Sequence, residues 1–587
     1  MAIRFRLIKA ANGLEYGSIV SGYRDPVTKK STTRSLKSYG HVSQEKLADP
    51  LFLSQVRHDI NYFSYQLQTE AKKTQTLTPS KVARSFLRIN YSFFALRYVY
   101  EKLKCDQIIT DLKAYSSIEN FEDLFFYMTA ERINDDECQF VSPERNHIFD
   151  FSHILLDKAP QALTFLASRA YQISRQLNKN LVMHNLVDKS NVTYYLTKLN
   201  FQHIKNSPLN GALIENQCVL GLTLDGNYIP LDYHLNQILP GDKINRDDML
   251  SRVLYVKNTT ARYASFTFVA DTELNKREYI YHLEKEKCPY ILCSNLYKLS
   301  VRRQSLLLKG KFKKGRSADG DSSWRYRQVK EPLTIRQFGS RIILDCKIFI
   351  IYSKSKRAHD LWRLEKQWRA ASNLVDMSDQ DINSTGLLDE ELLSSSLMRF
   401  IKLKHSAPGL LSIDHTQYSK YGVFAGYFVV ITNLESNIAS IYQKLKKLWD
   451  FKESYRNPNL PDVRHGSHLN YRDLMAGHFF LANFSNIIKR SLLCLLQTKN
   501  LHLNSKQLKR AMHDNALCFV KDKKSGEYLV LKNTIAEPDD LGYNSMDLIM
   551  QALSLPVFDA IENIESYKVA VREHIRSKTM HINSSVL

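Results

Sequence analysis

The spacing of apolar residues changes period several times along the chain, and those changes divide it. Residues 3 to 40 alternate short β-rich runs with the turn signals Asn12-Gly13 and Asp25-Pro26, which predicts a small meander with many outward Lys and Arg. From Pro50 to about Asn178, apolar residues three and four apart in "VARSFLRINYSFFALRYVYEKL" and "IENFEDLFFYMTAERI" predict a helical domain. The period then returns to two. "NLVMHNLVDKSNVTYYLTKLNF" reads as a strand, and "CVLGLTLDGNYIPLDYHL" as two strands joined at Asp225-Gly226. A helix in "RDDMLSRVLYVKNT", a buried strand "ASFTFVAD", a helix in "NKREYIYHLEK" and a strand "CPYILCSN" follow. Together they describe a mixed α/β sheet with acids at strand ends.

From about Leu299 to Gly426 this rhythm breaks. A basic stretch leads through the strands of "SRIILDCKIFIIYS" to a charged helix, "RAHDLWRLEKQWRAASNL", and a low-complexity loop, "SDQDINSTGLLDEELLSSS". Because the strand "YFVVITN" resumes afterwards, the segment reads as an insertion into the sheet. The expected division is 1–48 meander, 49–178 helical and DNA-binding, 179–298 first part of the core, 299–425 β-rich basic insertion, 426–495 second part of the core, and 496–587 mostly helical. A chain of 587 residues agrees with several domains.

Charge narrows the partners. The 82 Lys and Arg exceed the 60 Asp and Glu by 22, which favours a polyanion, since each neutralised phosphate releases condensed counterions. Eight scattered cysteines with no CxxC pair argue against a zinc ribbon or a disulfide framework and for reduced core thiols. No signal-peptide core and no membrane-length apolar run stand out, so a cytoplasmic, nucleoid-associated protein is expected.

Asp188 in "VDKSN" and Asp271 in "VAD" stand where neighbouring strands could bring carboxylates together. Such a pair can hold two Mg²⁺ ions about 4 Å apart, one activating a hydroxyl and the other stabilising a leaving oxygen. Taken singly, an Asp at a strand end is more often a turn residue or helix cap than a ligand.

The order of motifs over the whole chain resembles the bacterial insertion-sequence transposases with a DDE site on an RNase H-like fold. The family's first acid stands in D-x-T-x-x-Y-F, matched by Asp188 with Ser190 and Tyr194, while Thr193 departs from it. The second acid is matched by Val269 to Asp271. "VLGLTLDGNYIPL" with "LPGD", then "GYFVVITN", "IYQKLKKLW", "ESYR" and "GHF" follow in family order, as does the earlier "DPLFLSQVRHDI". The resemblance implies an RNase H-like α/β core interrupted by a β-rich insertion and preceded by β-meander and helical domains. It also implies Mg²⁺- or Mn²⁺-dependent cleavage and transfer of DNA strands, by a homodimer or larger assembly on double-stranded element ends and target DNA.

The same resemblance locates the third ligand in Y-x-x-x-W-x-I-E-E-S-F-R-x-x-K. Anchored on Trp449 and "ESYR", the liganding Glu falls on Lys452, and Glu453 matches the second Glu as the remaining candidate for the metal set Asp188, Asp271, Glu453. Leu445 replaces the family's Tyr and Asn459 its Lys. An ammonium opposes a divalent cation about 4 Å away by roughly 8 kcal/mol at an effective dielectric near 20. Two functions therefore stand side by side: an active transposase, or a catalytically inactive DNA-binding regulator derived from one. For DNA contact, Arg302 to Lys330 hold ten Lys and Arg against two Asp. Arg302, Arg303, Lys311, Lys313, Lys314 and Arg316 would meet phosphates, Trp324 would stack on an unpaired base, and Lys446 and Arg456 would add a basic helix face.

Overall fold

Alternation at the N-terminus yields three antiparallel strands, β1 (Ile3–Lys9), β2 (Glu15–Arg24) and β3 (Ser31–His41), paired in that order. The computed structural model describes residues 3–9, 14–24, 31–43, 82–90, 93–113, 118–134, 156–205, 212–238, 246–271, 276–296, 308–316, 323–329, 332–337, 340–380, 399–403, 411–455, 471–513, 516–522, 528–532 and 545–555, with residues 46, 47, 52, 56, 59, 60, 116, 304 and 573. The chain divides into two compact units, Met1–Phe86 with Val520–Leu529, and Leu87–Phe519 with Val530–Leu587. In the first, Val42, Phe52 and Val56 form a small core against Phe5 and Tyr39. Asp59 accepts hydrogen bonds from Lys37 Nζ at 2.6 Å and Tyr39 OH at 2.5 Å.

Val82–Asn90, expected as helix, is a strand, β4. Val82, Phe86 and Ile89 lie four and three apart, the helical spacing behind that expectation. Helices α1 (Phe93–Lys102), α2 (Cys105–Lys113), α3 (Phe121–Asn134) and α4 (Ala159–Met183) follow. Helix α4 runs to Met183, so the strand expected from Asn180 begins only at Val192.

The second unit is mixed α/β, built on a nine-stranded sheet. Its elements in chain order are β5 (Val192–Lys205), β6 (Ala212–Leu224), β7 (Pro230–Ile238), α5 (Arg246–Thr259), β8 (Phe266–Ala270), α6 (Arg277–Lys285) and β9 (Tyr290–Asn295). Then come β10 (Lys313–Lys314), β11 (Trp324–Val329), the hairpin β12 (Thr334–Gln337) and β13 (Ser340–Ile343), and β14 (Lys347–Ser353). Helix α7 (Lys354–Gln380), the small pair β15 (Ile401–Leu403) and β16 (Leu411–Ile413), α8 (His415–Val423), β17 (Tyr427–Thr432) and α9 (Ile438–Glu453) complete this region. The sheet order is β10-β11-β14-β17-β9-β8-β5-β6-β7. β5, β8 and β9 are mutually parallel, and the other pairs are antiparallel. Segment 299–425 thus lends β10, β11 and β14 to the same sheet, and its largest element is the 27-residue α7.

The two-residue period decides which side chains go where. Tyr195, Leu199, Val269, Ile291, Cys293, Phe428 and Val430 face α9, whereas Tyr194, Leu196, Phe268, Ala270, Leu292 and Val429 face α5 and α6. At the β6–β7 hairpin, Asp225 N donates to Ile229 O and Tyr228 adopts φ 62°. Helix α10 (Tyr471–Thr498) packs so closely on α4 that a Cβ at Gly477 would lie 1.9 Å from Leu163 O. By length and composition, Arg472–Thr498 could cross a membrane, a run the sequence reading did not single out. It is mostly buried inside the protein, as a core helix is. Helices α11 (Ser505–His513) and α12 (Ser545–Ala552) flank two more strands, β18 (Ala516–Asp522) and β19 (Tyr528–Lys532).

Candidate functional site

Helix α9 starts at Asn437, whose side chain accepts from Ala439 N at 3.1 Å and so satisfies one of the orphan amides of the first turn. Ile441, Leu445, Leu448 and Lys452 recur at the spacing of a single helical stripe, and that stripe faces the sheet. Lys452 therefore inherits a core position and is only 9% exposed. Its ammonium cannot remain there without a counter-charge. Asp271, the residue after β8, supplies it, with Oδ2 2.8 Å from Lys452 Nζ.

Two further donors converge on the same oxygen. Thr197 Oγ1 lies 2.9 Å and Tyr195 OH 3.0 Å from Asp271 Oδ2. Both come from β5, whose parallel register with β8 pairs Leu196 with Ala270 and so sets Thr197 opposite Asp271. Asp271 Oδ1 is buried with no hydrogen-bond partner among the described residues. Direct Coulomb attraction at 2.8 Å is about 6 kcal/mol at an effective dielectric near 20, enough to offset much of the desolvation of both charges.

A Mg²⁺ or Mn²⁺ ion does not fit these residues. Thr197 and Tyr195 face Asp271 where a second carboxylate would have to stand, and the Lys452 ammonium occupies the place of a cation. Among the described residues, no group of three His, Cys, Asp or Glu could hold a metal.

Asp188 does not join Asp271. It lies in the turn before β5, where its carboxylate accepts from Ser190 N at 2.8 Å and Ser190 Oγ at 2.9 Å. Its own amide donates to Asp225 Oδ2 at 2.8 Å. A Cβ at Gly226 would lie 2.0 Å from Asp188 Oδ2, so a side chain there would displace the Asp188 carboxylate. Val192 pairs with Phe266 at the start of β8, while Asp271 follows its end. At about 3.3 Å per residue, the five steps from Val192 to Thr197 alone span roughly 17 Å. Asp188 is thus the turn residue of the alternative reading. Glu453, one residue past Lys452, is rotated by about 100° around the helix and borders the cleft outside the Asp271 cluster. Leu445 is wholly buried core.

The Lys452–Asp271 pair forms one wall of a cleft of about 520 Å³ between α7 and α9. Lys356, Arg363, Arg399, Lys446, Lys452 and Lys506 line it against Asp271, Asp360, Asp450 and Glu453, six cations to four acids. Lys356 Nζ pairs with Asp360 Oδ1 at 2.9 Å and sits 5.6 Å from the Trp449 ring centroid. Burial raises the Asp450 carboxyl above its ordinary range, against the opposing fields of Lys506, Lys446 and Arg490.

Of the expected DNA-contacting residues, Lys311, Lys313, Lys314 and Arg316 are exposed on and beside edge strand β10, and Lys446 borders the cleft. Trp324 is not available to a base. It is 2% exposed and stacks on Tyr442 with ring centroids 4.5 Å apart. The position alternates inward on β11, and Gly315 leaves room for its ring. Arg302, Arg303, Arg456 and Asn459 lie outside the described residues. Sequence reasoning missed Tyr195 and Thr197, whose only signal was their two-residue spacing on the strand paired with Asp271. It also missed Lys356 and Arg363, which enter the cleft from α7, and Arg399, which precedes β15.

No protein-family profile matches the chain, and no curated protein matches it. Among solved structures it is similar to a piggyBac transposase in a synaptic complex with hairpin DNA, at 8% identity and TM-score 0.29, over 82% of this chain and 84% of that one. It is also similar to Marinitoga piezophila Argonaute in complex with a 5′-OH guide RNA, at 9% identity and TM-score 0.14, over 50% of this chain and 64% of that one.

Proposed function

We propose that this protein is a transposase-derived DNA-binding protein that has lost metal-dependent strand cleavage and occupies element-end DNA without cutting it. The observation that carries the reading is Lys452 Nζ at 2.8 Å from Asp271 Oδ2, with Thr197 Oγ1 on the same oxygen. A strand order of β7-β6-β5-β8-β9, a meander followed by two parallel strands, supports an RNase H-like core. The excess of 22 positive charges and the exposed lysines beside β10 support a double-stranded DNA partner, bound through phosphates. The motif resemblance adds assembly as a homodimer or larger complex on paired ends.

In this reading Asp271 and Lys452 neutralise each other and hold β8 against α9, while DNA lies across a basic surface that can no longer assemble a metal pair. The test is DNA carrying the gene's flanking sequences, incubated with Mg²⁺ or Mn²⁺. The native protein is expected to bind and not cleave. Lys452→Glu alone is expected to stay silent, because Thr197 supplies no second carboxylate. Native cleavage abolished by Asp271→Ala would overturn the reading in favour of an active transposase.

A further inference from the structure

The β12–β13 hairpin carries two arginines directly opposite each other. In its antiparallel register Arg336 pairs with Arg341, Ile335 with Ile342 and Thr334 with Ile343. Alternation sends Ile335 and Ile342 toward the core shared with α5 and α6, and so turns Arg336, Arg341 and Ile343 outward. Both arginines are exposed, and Ile343 beside them is 67% exposed. Neither guanidinium has a hydrogen-bond acceptor or a carboxylate partner among the described residues.

Like charges directly opposite on a sheet destabilise it, because their Cβ atoms are only about 4.5–5.5 Å apart. A single charge is enough to guard a ribbon edge against pairing with another strand. The hairpin is nevertheless held in this arrangement. Leu333 and Leu344 are buried at its base, where Leu344 N donates to Leu333 O at 2.8 Å and Asp345 N donates to Glu284 Oε2 at 3.1 Å. Arg277 Nη1, from the first turn of α6, donates to Thr334 O at 2.7 Å. An anchored ribbon that holds two forked donors side by side is pre-organised for an external oxyanion. The exposed branched alkyl of Ile343 suits a partner that alternates charge with apolar carbon, as the phosphates and sugars of a nucleic-acid backbone do.

We propose that the β12–β13 hairpin grips the DNA backbone: Arg336 and Arg341 converge on one phosphate, and Ile343 rests against the neighbouring sugar. Resting on the DNA-binding reading above, this role adds a contact surface outside both the basic stretch 302–330 and the Lys452–Asp271 pair.

Fluorescence anisotropy with double-stranded DNA, together with urea unfolding of the free protein, tests it. Arg336→Gln combined with Arg341→Gln is expected to weaken binding by about tenfold or more. The same change lowers the slope of log affinity against log salt by about one, the loss of one phosphate contact. Arg341→Glu is expected to weaken binding further while raising the urea midpoint of the free protein, because an attracting pair replaces a repelling one. Lys285→Glu, an equal change of net charge on the exposed last turn of α6, is expected to leave affinity within about twofold. The hairpin's role is overturned if wild type binds DNA and the arginine variants bind equally well, if Lys285→Glu weakens binding as much as Arg341→Glu, or if Arg341→Glu lowers the midpoint. Wild-type protein that binds no DNA overturns the function proposed above, and the hairpin's role with it.

Discussion

At Lys452 the helix delivers a side chain to a buried carboxylate whichever residue stands there, and here it delivers an ammonium. Removing one partner leaves the other charge buried. Lys452→Ala is expected to destabilise the protein by about 3–5 kcal/mol, whereas Asp271→Asn combined with Lys452→Met loses less than the two single changes added. Urea unfolding of the four proteins measures this coupling. Asp225 gives a second residue-scale prediction. Burial pushes its carboxyl up to about 6, although the amides of Asp188 and Ile229 favour the charged form. Between about pH 4 and pH 6 the folded protein keeps a proton that the unfolded chain releases. The stability contributed by this group is thus full below about pH 4 and is lost as pH rises through 6, by about 3 kcal/mol. The stability difference between wild type and Asp225→Asn, followed from pH 4 to 7, is expected to move by that amount. Lys452 was legible in the sequence, since it continues the stripe of Ile441, Leu445 and Leu448. Thr197 was not, because its pairing with Asp271 is fixed by a register between strands over seventy residues apart.

At the scale of elements, α9 is the part that commits the site. Tyr442 stacks on Trp324, Leu445 and Leu448 are fully buried, and Phe451 closes the stripe, so the helix is clamped along the length that positions Lys452. Leu445→Ala is expected to cost about 2–5 kcal/mol in denaturant unfolding, the range for a buried leucine emptied in a close-packed core. Periodicity located α6 and α9 by an apolar stripe at helical spacing, and β8 and β9 as short continuous apolar runs buried on both faces. It failed at Val82–Asn90, where a helical spacing falls in a strand, and at Asn180–Met183, where a short apolar run ends a helix. The same limit explains Trp324. A basic stretch with aromatics looks like a nucleic-acid surface until strand pairing turns alternate residues into the core.

For the whole molecule, the strongest general feature is charge. If the excess of 22 positive charges serves DNA, affinity is expected to fall steeply with salt, by roughly 10³-fold or more between 50 and 200 mM for six or more phosphate contacts. Fluorescence anisotropy across that range measures the slope. The mixed α/β class and the acid at the end of β8 could be read from the chain, but the meeting of α7 with α9 around the cleft could not, because α7 belongs to the inserted segment and nothing local says where it packs. Titration of Mn²⁺ followed by electron paramagnetic resonance tests the central claim most directly, comparing the native protein with Asp271→Ala and with the double change Thr197→Asp, Lys452→Glu. The account predicts no site in the native protein that depends on Asp271 and the appearance of one in the double variant. Mn²⁺ bound by the native protein and released by Asp271→Ala would contradict it.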